Sequence, residues 1–128
     1  MSFADELRRS MPSRMELERQ KEEALRQEEA YKERECAEAL TKMLTSCKAE
    51  SVRRNEEGKR QVVTFFSLDS CPYNLTFLRP KERDAKKYVT RLRDDLLNAL
   101  RNEGFKAIVF IDREHFTNYF VLRVTIEW

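Results

Sequence analysis

Between Arg14 and Asn55 the chain runs without a single proline or glycine. No other feature limits its possible folds as much. Glu, Arg, Lys, Ala, Leu and Gln dominate the stretch, and all of them propagate a helix at little cost. Ser13 followed by Glu16 has the spacing of a capping box, in which hydroxyl and carboxylate each satisfy an orphan amide of the first turn. Arg19/Glu23, Glu22/Arg26 and Glu28/Lys32 stand four residues apart, each pair contributing a few tenths of a kcal/mol at most. Upstream, Ser2 with Asp5 caps a short opening helix that Pro12 interrupts. Downstream, Gly58 stands where a left-handed C′ residue would stop the long helix. A helix of some forty residues runs ~60 Å, while a domain of ~70 residues has a radius of gyration of only ~11 Å. The long helix is therefore expected to overhang its domain unless it bends.

Its two halves differ. From 36 to 52, apolar residues fall at Cys36, Ala37, Leu40, Met43, Leu44, Cys47 and Val52, a stripe at three- and four-residue spacing that predicts packing on a core. From 14 to 35 they thin to Met15, Leu17, Ala24, Leu25, Ala30 and Tyr31. Leu17, Ala24 and Tyr31 recur every seven residues, but Lys21, Glu28 and Glu35 fill the companion positions, so the heptad is poor. Leu17, Ala24, Leu25 and Tyr31 are nevertheless the candidate contact stripe for a partner helix. A charged helix standing alone in water is marginal, and most oligomers are symmetric homo-oligomers. The plainer reading is a solvated helix held by charge pairs.

Beyond the glycine the composition changes to β-branched and aromatic runs. "RQVVTFFSL" at 60–68 is apolar on both faces and reads as a strand buried on both. "DSCPYN" has turn chemistry, and "LTFL" reads as a short second strand or an extended connector. Pro80 suits the first turn of a second helix and Gly104 its stop. Within it Ala85, Tyr88, Val89, Leu92, Leu96, Ala99 and Leu100 form one apolar stripe. "KAIVFI" and "YFVLRVTIEW" then make a hairpin across "DREHFTN", with Phe120, Leu122, Val124, Ile126 and Trp128 alternating against a more polar set. The expected architecture is α+β in two layers: a charged helical arm over 1–57, then a small domain over 58–128 whose mixed sheet carries the second helix on one face.

Several functions find no support in these residues. Both glycines of the chain are used as helix stops, which leaves none for a phosphate-cradling loop. No apolar run is long enough for a membrane span or a signal peptide, so a cytoplasmic protein is expected. Three cysteines without CxxC spacing fit a reducing compartment, and Cys36 and Cys47 would lie three helical turns apart, beyond disulfide reach. The lone His115 near Asp112 and Glu114 could suggest a metal or a general base, but such sites need three or four convergent ligands and a polar turn is the commoner explanation. Cys71 with His115 as its base could be a nucleophilic pair, yet Cys71 precedes Pro72 in a turn that has no oxyanion device. Asp94 and Asp95 point about 100° apart on a helix and cannot act together. Neither a catalytic residue, a metal nor a small-molecule cofactor is assigned, and the chain is read as non-enzymatic.

One charged run remains. "RPKERDAKKYVTRLR", residues 79–93, holds seven basic and two acidic residues. The chain as a whole is only +2, with thirteen basic against fourteen acidic residues over 1–59 and twelve against nine over 60–128, so a polyanion partner rests on this cluster alone. On a helix starting near Pro80, Arg83 and Lys87 would line the face opposite the apolar stripe, with Arg91 flanking. A solvated face often looks like this, and Asp84, Asp94 and Asp95 dilute the field. The sequence therefore points first to a protein–protein interaction module, homodimeric through the helical arm. The alternative is a nucleic-acid-associated accessory protein using Arg83, Lys87 and Arg91.

Overall fold

The computed structural model describes residues 2–11 and 13–128. It contains three helices, α1 (Phe3–Ser10), α2 (Arg14–Glu56) and α3 (Ala85–Asn102), and three strands, β1 (Gln61–Ser67), β2 (Lys106–Arg113) and β3 (Phe120–Glu127). A long helix, then a small sheet carrying a second helix and a C-terminal hairpin, is the α+β layout anticipated above. The chain divides into two compact units, Met1–Glu33 and Arg34–Trp128.

In the first unit both serine hydroxyls cap as their spacing implies. The Ser2 hydroxyl accepts from the Asp5 amide at 3.3 Å to open α1, and the Ser13 hydroxyl accepts from the Glu16 amide at 3.2 Å to open α2. Two ion pairs along the helix surface, Arg14–Glu18 at 3.5 Å and Lys32–Glu28 at 3.1 Å, have the favoured four-residue spacing. No described residue from Ser2 to Glu33 is buried.

The second unit is two layers. In the sheet β3 lies between β1 and β2 and pairs antiparallel with both. The sheet expected as mixed is thus antiparallel throughout, because β1 and β2, which α3 connects, are kept apart by the intervening strand. Val62 and Phe66 of β1, Ala107 and Val109 of β2, and Phe120, Leu122, Val124 and Ile126 of β3 share one buried cluster with Ala39, Met43 and Cys47 of α2. Ala85, Tyr88, Val89, Leu92, Leu96 and Leu100 bring α3 into the same cluster. Burying a side chain of this size contributes roughly 1.5–3 kcal/mol, so this layer carries most of the unit's stability. In α2 the buried row is Ala39, Met43, Cys47 and Ser51, with Cys36, Leu40 and Leu44 half-buried beside it. The stripe read from the sequence is displaced at its edges, since Ala37 and Val52 are exposed. Ser51 tolerates burial because its hydroxyl donates to the Lys48 carbonyl at 2.7 Å.

Both glycines close helices. At Gly58, φ +79°, the Lys59 amide donates to the Arg54 carbonyl at 2.9 Å and the Gly58 amide to the Asn55 carbonyl at 3.0 Å. Gly104, φ +89°, repeats the arrangement through Phe105 to Leu100 and Gly104 to Arg101. This is the pairing of a Schellman stop, which only a left-handed residue can make. A Lys48–Glu103 ion pair at 2.8 Å ties α2 to the end of α3, and the Trp128 indole donates to Asn55 at 3.2 Å.

Three local expectations are corrected. The helix predicted from Pro80 starts at Ala85, because Asp84 adopts φ +64° and breaks the chain direction after a turn in which the Glu82 amide donates to the Arg79 carbonyl. "LTFL" forms a 3-10 turn at Thr76–Leu78, which seats Leu75 and Leu78 in the core as no extended strand would. Most consequentially, β1 is buried on one face only. Its burial alternates, leaving Val63 and Phe65 exposed, because both helices pack on the same side of the sheet.

Candidate interaction surfaces

Four places in the fold gather residues with something to offer a ligand or partner. The basic run is the first. Arg79 is held by Asp69 at 2.8 Å and lies 5.4 Å from the Tyr119 ring centre, and that hydrogen bond raises its pKa further. Arg93 is taken up by Asp94 at 2.9 Å. Since α3 begins at Ala85, Arg83 sits in the preceding turn and off the helix face that Lys87 and Arg91 occupy. All three are exposed, and the Lys87 ammonium lies 5.9 Å from the Tyr88 ring centre. Of seven basic residues, the structure thus commits Arg79 and Arg93 to carboxylates and separates Arg83 from Lys87 and Arg91.

The second is the thiol chemistry. Cys71 is exposed, in a turn whose Cys71–Pro72 peptide is cis. It borders an open depression lined also by Lys42, Ser46, Thr64, Ser70 and Tyr73, and His115 is not among the lining residues. His115 stands in the exposed hairpin loop, 5.1 Å from Phe116 between ring centres. Among the described residues no three His, Cys, Asp or Glu side chains gather as metal ligands. Cys47 is fully buried, and burial pushes its thiol up to about 12. Burial likewise raises Tyr73.

The third is the N-terminal half of α2. Leu17, Leu25 and Tyr31 are 41, 59 and 49% exposed, and Ala24 is exposed with them. At 100° per residue, Leu17, Ala24 and Tyr31 fall within about 40° of one another, and Gln20 and Gln27 lie along one margin of that row. Leu25 stands to the other side, beyond Glu28, Lys21 and Lys32. The stripe is short on hydrophobic area, but its core and one margin are uncharged.

The fourth was not identified from the sequence. On the side of the sheet away from both helices, Val63, Phe65, Ile108 and Phe110 are exposed. Strand register sets them in two rungs: Val63, Thr125 and Ile108 side by side, then Phe65, Arg123 and Phe110. The Arg123 guanidinium lies 5.0 Å from the Phe110 ring centre and 3.7 Å from the Asp112 carboxylate. The signal was present in "VVTFF", whose apolar residues point both ways along a strand. The sequence alone reads it as burial on both faces, since nothing in it says on which side a helix will pack.

Comparison with protein-family models, with curated proteins and with solved structures finds no match for this chain. Among the described residues no helix is long and apolar enough to cross a membrane.

Proposed function

We propose that this protein works by binding rather than catalysis, as a protein–protein interaction module that pairs with a second copy of itself through the N-terminal half of α2. One observation carries the reading: α2 is helical from Arg14, yet none of its residues before Arg34 is buried. Some twenty residues of helix without a packed face are marginal in water, because propagation gains little per residue. A second helix laid along Leu17, Ala24 and Tyr31 would supply the missing packing, with Leu25 at its margin. Gln20 and Gln27 would enter one side of such a seam without burying a charge, while Glu28 and Lys21 would stand along its other side with their charged ends towards water. Two identical helices meeting this way form an isologous contact, the usual basis of a homodimer.

The basic run supports the nucleic-acid reading less, since Arg79 and Arg93 already pair with carboxylates and Arg83 stands apart from Lys87 and Arg91. The pairing is tested by sedimentation of the full chain beside a Leu17→Glu/Leu25→Glu double variant. Halving of the assembly mass in the variant, with an unchanged circular dichroism spectrum for the sheet, is the expected result. An unchanged mass would remove α2 as the pairing surface.

A further inference from the structure

The open face of the sheet has the composition of an interface. Val63, Phe65, Ile108 and Phe110 form two apolar rungs whose exposed side chains amount to roughly 400 Å², comparable to the largest patch on a typical monomer. A standard interface removes roughly 800 Å² from each partner, a little over half of it apolar. These four residues would supply nearly that apolar share, and the rims of the same face the remainder.

The charges on the face argue against a polyanion. Lys106 and Arg123 are matched by Glu127 and Asp112, so the surface is neutral. Register places Lys106 opposite Glu127 at one end, and Arg123 lies within ion-pair distance of Asp112 towards the other. An occupant must be apolar in the middle and carry both signs at its ends, and this face itself answers that description.

We propose that a second copy of the chain packs its own open sheet face against this one, about a two-fold axis that crosses the strands between the two apolar rungs. Such an axis lays each strand over its own counterpart with the rung order reversed. Phe65 then meets the partner copy's Val63 position, and Phe110 meets its Ile108 position. Lys106 comes opposite the Asp112 position, and Arg123 opposite Thr125, one rung from Glu127. Both rims become complementary and no charge faces its like. The other face-to-face choice, an axis along the strands, sets Arg123 on Arg123 and Glu127 on Glu127 and is disfavoured by like-charge contact in a drying interface. Sheets packed face to face sit about 10 Å apart with strands within about 30° of alignment, so opposed residues interdigitate and need not meet atom to atom.

This surface is distinct from the helix seam, and the two can be told apart in one experiment. The full chain is sedimented at sub-millimolar concentration as wild type, as Phe65→Glu, as Phe110→Glu and as the Leu17→Glu/Leu25→Glu variant. Phe65 and Phe110 are already exposed, so both sheet variants retain the fold, which circular dichroism verifies. With both surfaces in use the wild type assembles beyond a dimer, and either kind of variant reduces it to a dimer. A wild-type dimer that only the sheet variants dissociate, raising the dissociation constant at least a hundredfold, keeps this proposal and removes the helix seam. A mass that the sheet variants leave unchanged overturns the sheet proposal whatever the helix variant does. A monomeric wild type overturns both and leaves the face to some other protein. The axis has its own test in an equimolar mixture of Lys106→Asp and Asp112→Lys chains. Each chain alone sets like charges together at both rims, while the mixed pair matches them. The mixture should associate at least tenfold more tightly than either chain alone, and equal affinities would overturn the axis.

Discussion

From Arg14 to Glu33 α2 buries no residue, whereas from Arg34 to Glu56 it places Ala39, Met43, Cys47 and Ser51 in the buried layer of its unit. Helix propensity hardly differs between the two halves. The difference lies in where the apolar residues stand. In the second half they recur every three or four residues and fill one side of the helix. In the first half they recur every seven, and a single row of that width cannot cover a sheet. One half is therefore held by its own unit's core, while the other depends on charge pairs, caps and whatever lies along it. Intrinsic propensity can make a helix, but packing determines how much that helix stabilises its domain.

The sharpest way to break this comparison is to remove a side chain from each half. Met43 is fully buried, and Met43→Ala should cost about 3 kcal/mol through lost burial and the cavity it leaves. Leu25→Ala, in a chain dilute enough to be monomeric, should change unfolding free energy by less than about 0.5 kcal/mol. Urea unfolding of the two variants measures both. Equal costs would mean that the first half is packed as firmly as the second.

Cys47 gives a second probe of the packed half, through pH. Burial raises its thiol to about 12, while the same group in an unfolded chain ionises near 9. Below pH 9 both states hold the proton and nothing is lost. As pH rises from 9 towards 12, the unfolded chain gives up its proton and the native protein keeps it. Stability should then fall by about 1 kcal/mol per pH unit from this group. The slope is isolated by comparing wild type with Cys47→Ala, which starts from lower stability but should lose less of it over that range. Parallel pH profiles would show that Cys47 meets water more freely than its burial implies.

The sequence made the helices far more legible than the faces of the sheet. Ser13, Gly58 and Gly104 each carry their role locally, as a hydroxyl or as a left-handed backbone, and the structure uses all three as read. The apolar row of α3 is likewise written in its own spacing: Ala85, Tyr88, Val89, Leu92, Leu96 and Leu100 are buried, and Ala99 is half-buried. The start of α3 was misjudged because Pro80 fits a first helical turn equally well as a loop, and Asp84 in the left-handed region decides between them. β1 was misjudged for a reason that lies outside β1. Val63 and Phe65 are as apolar as Val62 and Phe66, and only the placement of α2 and α3 on one side of the sheet leaves the first pair exposed. That failure locates the most informative surface of the molecule. An apolar strand face that its own fold does not cover is where local sequence pattern and tertiary burial disagree, and such disagreement is commonest at functional sites.

The smallest expected effect separates the two halves of α2 by where it is felt. Ser13 accepts the Glu16 amide at 3.2 Å, at the end of the helix that carries no buried residue. Ser13→Ala removes that acceptor, a loss typically of about 1 kcal/mol to the local helix. If the first half is coupled only weakly to the core, the loss should appear as faster hydrogen exchange over the first turns of α2. Amides near Met43 and Cys47 should be unaffected, and the urea midpoint should not move. A lowered midpoint would mean instead that the whole of α2 unfolds with the core as one cooperative element. The exposed row of Leu17, Ala24 and Tyr31 would then be stabilised through the helix below it, with no need of a partner helix.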